Sequence, residues 1–80
     1  MNTEADWAED AKRLLRREMA GRGVTYDDLV KKLAAIGVHD TAGNIRNKVS
    51  RGKFTAVFLL QVLTAMGCRS LRFGEDDGED

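Results

Sequence analysis

Between Thr41 and Lys53 the sequence gathers two carboxamides, two guanidinium groups and two ammonium groups, with no carboxylate among them: Asn44, Asn47, Arg46, Arg51, Lys48 and Lys53. These side chains suit one kind of chemistry. A carboxamide can pair with an adenine edge and a guanidinium with a guanine edge in the major groove of DNA. Cations beside them suit phosphates, which hold register without reading sequence. The chemistry works only if the groups share one side of an element. At about 100° per residue of helix, Ala42, Ile45 and Val49 fall on one side. Gly43, Asn47, Ser50 and Arg51 fall opposite, with Asn44 beside them and Arg46 and Lys48 on the two edges. The spacing therefore nominates Asn44, Asn47 and Arg51 to read bases, and Arg46, Lys48 and Lys53 to contact phosphates. Double-stranded DNA is the expected partner.

Other chemistry finds few residues to use. His39 is the sole histidine and Cys68 the sole cysteine, too few for a tetrahedral metal site or an intrachain disulfide. His39 has no evident nucleophile to serve. Asp27 and Asp28 are adjacent in sequence rather than opposed, which does not suit a general acid/base pair. Gly21-Arg22-Gly23 reads as a helix stop rather than a phosphate loop. The reading is a binding protein and not an enzyme, with no cofactor, no metal and no small-molecule substrate.

Charge points the same way. The 80 residues carry thirteen basic and thirteen acidic side chains, but five of the acids (Glu75, Asp76, Asp77, Glu79 and Asp80) lie at the C-terminus. Residues 1–74 hold all thirteen bases against eight acids, a net charge of +5. A one-sided stretch of this kind favours an anionic partner. Residues 1–20 contain no uninterrupted apolar run, so neither a secretory signal nor a membrane span is expected. An unpaired cysteine fits a reducing compartment. The expected location is cytoplasmic, with the nucleoid as the site of action.

The elements that must position these groups read as an all-α domain of four or five helices over residues 1–73, followed by a disordered acidic tail, 74–80. The first helix begins at Thr3, with Asp6 completing a capping box. Trp7, Ala11, Leu14, Leu15 and Met19 form its apolar face, and Gly21 and Gly23 end it. Thr25 caps the second helix, where Asp27 and Asp28 favour the positive end of the helix dipole. Leu29, Leu33 and Ile36 form its inner stripe, and Gly37 stops it. Asp40 or Thr41 caps the third helix, which runs to Arg51 and ends at Gly52. Thr55 caps the fourth, which runs to Met66. Cys68 to Phe73 reads as either a last helical turn or a short strand.

Arg13-Leu14-Leu15, Gly23-Val24-Thr25-Tyr26-Asp27-Asp28-Leu29, and Ile45 to Val49 with Ser50-Arg51-Gly52-Lys53 resemble the repressor/Cro-type helix-turn-helix domain. Gly23-Val24-Thr25-Tyr26 and the run from Asn44 to Phe54 resemble, more closely, a family of short bacterial proteins known only as a domain of unknown function. The likeness spans about Trp7 to Gly67. The broader resemblance implies that the second and third helices form the motif and that the third enters the major groove. Three departures stand out: Val30 occupies a position usually small, Gly37 arrives about three residues late, as if the second helix were a turn longer, and Asp27 and Asp28 stand near where the broader family often places a glutamine on a phosphate.

The fourth helix, from Ala56 to Met66, is apolar apart from Gln61 and Thr64, and a helix apolar nearly all round must be buried on most sides. A homodimer is expected, with Phe58, Val62, Leu71 and Phe73 at its interface and two half-sites about 34 Å apart. The flexible acidic tail is placed to compete with DNA phosphates for the basic face. The rival reading is a protein-interaction adaptor on the same scaffold, using the apolar fourth helix and indifferent to DNA.

Overall fold

The computed structural model describes residues 2–71, over which the chain is helical with no strand. Its elements are α1 (Glu4–Arg22), α2 (Tyr26–Ala35), α3 (Ala42–Arg51) and α4 (Ala56–Ala65). Phe73 and the acidic tail lie outside the described residues. Residues 68–71 adopt neither the helical turn nor the strand that the sequence left open.

Each helix starts at a threonine, because an extended residue with a side-chain oxygen can satisfy an amide that the first turn leaves open. Thr3 and Thr25 form reciprocal capping boxes. Thr3 Oγ1 accepts from the Asp6 amide at 3.2 Å and the Asp6 carboxylate accepts from the Thr3 amide at 3.0 Å. The Thr25–Asp28 pair repeats this at 3.1 and 2.9 Å. Thr41, rather than Asp40, caps α3 by accepting from the Asn44 amide at 3.1 Å. Thr55 accepts from the Phe58 amide at 3.0 Å.

The core is built from pairs four residues apart, one from each helix: Leu15 and Met19, Leu29 and Leu33, Ile45 and Val49, Phe58 and Val62. Residues at this spacing stack on one helical face, so four short helices close around a common centre. α1 packs on α3, α3 on α2, and α2 on α4. No buried polar or charged side chain occurs among the described residues, so the polar groups able to recognise a partner lie at the surface. No described helix is long and apolar enough to cross a membrane.

The structure corrects several expectations. Gly21 sits inside α1, and the chain turns at Gly23, whose φ of 66° lets the Val24 amide reach the Met19 carbonyl at 2.9 Å. Trp7 is 61% exposed. The α1 contact at this level is made by Ala8, whose backbone lies against Gly52, and helix backbones approach closely only where side chains are small. Ile36 is also exposed: α2 ends one residue before it, and the Val38 amide bonds back to Leu33, so Val38 packs on the core in its place. Phe58 and Val62 are core residues, and Val62 has no exposed surface to offer a second chain. Leu71 packs part-buried on the same core. The outer side of α4 instead carries Val57 and Leu60, both more than 60% exposed, with Thr64.

Candidate functional site

α3 is fixed from beneath by Ile45 and Val49, each with no exposed surface. It is fixed at its ends by the Thr41 cap and by Gly52. Everything else on the helix is therefore held in place by a rigid stem. Asn44, Arg46, Asn47, Lys48, Ser50 and Arg51 are all exposed, as the spacing predicts, and the two edges of this face differ in what they touch.

The edge toward α4 is already occupied. Lys48 Nζ lies 2.9 Å from Asp40 Oδ2 and 4.9 Å from the centre of the Phe58 ring. Asp40 also accepts from the Thr41 amide at 2.8 Å, and the nearby Asn44 side chain adds a smaller polar influence on it. Asn44 and Lys48, nominated as a base reader and a phosphate contact, thus turn toward one carboxylate that is itself only 14% exposed. A charge that gives up such a partner leaves the other poorly solvated, so Lys48 is less available to an external anion than Arg46 or Arg51 on the same helix.

The hydrogen bond from Lys48, aided by the Thr41 amide and Asn44, holds the Asp40 carboxyl below its ordinary range, against a smaller opposing effect of burial. The folded state therefore binds the proton less readily than the unfolded chain. The stabilisation is present above the unfolded pKa and is lost as pH falls through the lower, folded value. Asp28 is shifted the same way by its two hydrogen bonds with Thr25. Urea melts from pH 6 down to pH 2.5 should show stability falling below about pH 4, the ordinary aspartate range. The fall should be shallower in Asp40→Asn; an unchanged slope would show that Asp40 contributes nothing to it.

The opposite edge is open and reinforced from other helices. The Arg46 guanidinium lies 5.2 Å from the centre of the Tyr26 ring, an arrangement that orients the cation while leaving its N–H groups at the surface. Arg16 of α1 reaches across to Ser50 of α3, Nη2 to Oγ at 3.5 Å. Arg16 and Tyr26 also border the same shallow groove, completed by Met19, Ala20, Val24 and Thr25. Between the edges, Asn47 and Arg51 hold the centre of the face. Lys53, just beyond α3, lies 3.6 Å from Glu4 in a pair whose members are 59% and 83% exposed. Such surface pairs are worth about 0–1 kcal/mol, so an anion can displace Glu4 readily.

Sequence reasoning missed Arg16 and Tyr26. Neither lies on α3, and their distance from it in sequence conceals that α1 and the start of α2 flank one side of it. The only sequence signal was that Arg46 and Ser50 share a helical edge, without any indication of which helix that edge meets.

Residues 7–71 match the family model described as Domain of unknown function (DUF6471). No curated protein and no solved structure matches the chain.

Proposed function

The chain belongs to the DUF6471 family of domains of unknown function, a description that names no activity, and we propose that it is a DNA-binding protein of helix-turn-helix type. In this reading α3 enters the major groove, with Asn47 and Arg51 reading base edges and Arg46 on a phosphate. The supporting observation is the acid-free face of α3, which carries Arg46, Asn47, Ser50 and Arg51 at the surface on a helix anchored by two fully buried residues. Recognition needs side chains held in fixed geometry, and rigid elements supply it better than loops. Asp28, which would repel phosphate if it faced outward, is turned back onto the Thr25 amide.

The test is a salt series of binding between the intact chain and random duplex DNA. Each phosphate neutralised contributes about −0.9 to the slope of log K against log salt, so contacts by Arg46 and Lys53 together give a slope of about −1.8. Measurable binding with such a slope supports the proposal. Absence of binding at low salt overturns it and leaves the adaptor reading, favoured by the exposed Val57 and Leu60 of α4. That contact would depend on those two residues and ignore DNA.

A further inference from the structure

The asymmetry of α3 carries a consequence for where the DNA backbone runs. On the α4 side, Lys48 is committed to Asp40 at 2.9 Å and covers the Phe58 ring. On the α1 side, Arg46 stands over Tyr26, and Arg16, from a helix thirty-four positions earlier in the sequence than Ser50, meets Ser50 at the edge of the same face. We infer that the bound duplex extends from α3 over α1, not over α4, and that Arg16 with Arg46 grips one phosphate strand there.

This rests on the DNA-binding reading and adds to it a residue outside the third helix. Arg16 and Arg46 present two forks, the geometry that suits phosphate. The Tyr26 ring meets Arg46 and borders a groove with Arg16, where its hydroxyl can donate to the same phosphate. The acids near this flank are accounted for. Glu9, on the Arg16 side of α1, is paired with Lys12 at 3.1 Å and Arg13 at 3.9 Å. Asp28 is held by Thr25. Asp27 is exposed at the start of α2, and Glu9 keeps 46% of its side chain exposed despite its pairings. The bond between Arg16 and Ser50 is long, so a phosphate oxygen can replace the hydroxyl at little cost.

The experiment compares the intact chain with Arg16→Ala, Arg16→Lys and Lys48→Gln in the same salt series, and selects preferred sequences for each from a random pool. Thermal melts confirm that all four remain folded. Arg16→Ala should reduce the salt slope by about 0.9, the share of one phosphate, and leave the preferred sequence unchanged. Arg16→Lys should restore the slope, because the charge is kept. Lys48→Gln should leave it as it was. If the intact chain binds DNA with a steep slope and Arg16→Ala matches it in slope and affinity, the duplex does not cross α1 and the inference fails alone. If Lys48→Gln reduces the slope instead, the duplex runs toward α4. If the intact chain does not bind, the DNA reading falls and this inference with it.

Discussion

Gly52→Ala should lower the free energy of unfolding by about 2–5 kcal/mol, whereas Gly23→Ala should lower it by only about 1–2 kcal/mol. The two glycines form a matched pair. Each ends a helix, and each has φ of 66°, where an L-residue pays a left-handed penalty of about 1–2 kcal/mol. Their surroundings differ. A Cβ on Gly23 meets nothing within 4 Å, while one on Gly52 would overlap the carbonyl oxygen of Ala8 and stand 2.6 Å from its carbonyl carbon. Overpacking of this kind costs typically about 1–3 kcal/mol more, and here the obstacle is backbone, which cannot rotate away. A chain of this length has a total stability of roughly 4–12 kcal/mol, so the Gly52 variant loses a large share of it. Urea denaturation of both variants measures the difference. Equal losses would mean that α1 slides off Gly52 without penalty and that the α1–α3 crossing is not fixed there.

On the proposed DNA-binding function, Arg51→Ala and Asn47→Ala should each cost about 1–3 kcal/mol of binding to the preferred DNA sequence, a factor of roughly 5 to 150. Both occupy the centre of the α3 face, where a major groove presents base edges. The two losses should differ in character from that of Arg16→Ala. Removing a base reader relaxes preference at one or two positions of the site, while removing a phosphate contact weakens every sequence alike. Selection from a random pool with each variant, followed by affinity measurements on the enriched and random duplexes, separates the two. If Arg51→Ala and Asn47→Ala weaken random and preferred duplexes equally, neither reads a base, and the reading of α3 as a recognition helix is wrong even where DNA is bound.

The frame of this fold was legible because its signals are local. Four threonines set the helix starts, and an apolar repeat at positions such as Ile45 and Val49 chose the buried face without reference to any partner. The positions that were misjudged depend on tertiary contacts. Trp7 is large and apolar and sits at helical spacing, yet α1 meets α3 through Ala8 because only a small residue allows that approach. On α4 nearly every residue is apolar, so hydrophobicity could not separate inside from outside; Gln61 and Thr64 were the better guide, since Val57 and Leu60 share their side. The third helix shows the same limit within the candidate site. Its outward face followed from periodicity, but the contrast between a Lys48 held by Asp40 and an Arg46 joined by Arg16 depends on which helix lies along each edge.

The contact between Gly52 and Ala8 also restricts how such a sequence can change over generations. A side-chain clash can be repaired by a second substitution that trims the neighbour, which gives drifting lineages a way through. The atoms opposing Gly52 are the main-chain oxygen and carbon of Ala8, which every amino acid carries. No replacement at position 8 removes them, so a lineage that loses Gly52 must move a whole helix to recover. Gly23 carries only the left-handed penalty of about 1–2 kcal/mol, which a stabilising change elsewhere can offset, so position 23 should vary more readily than position 52.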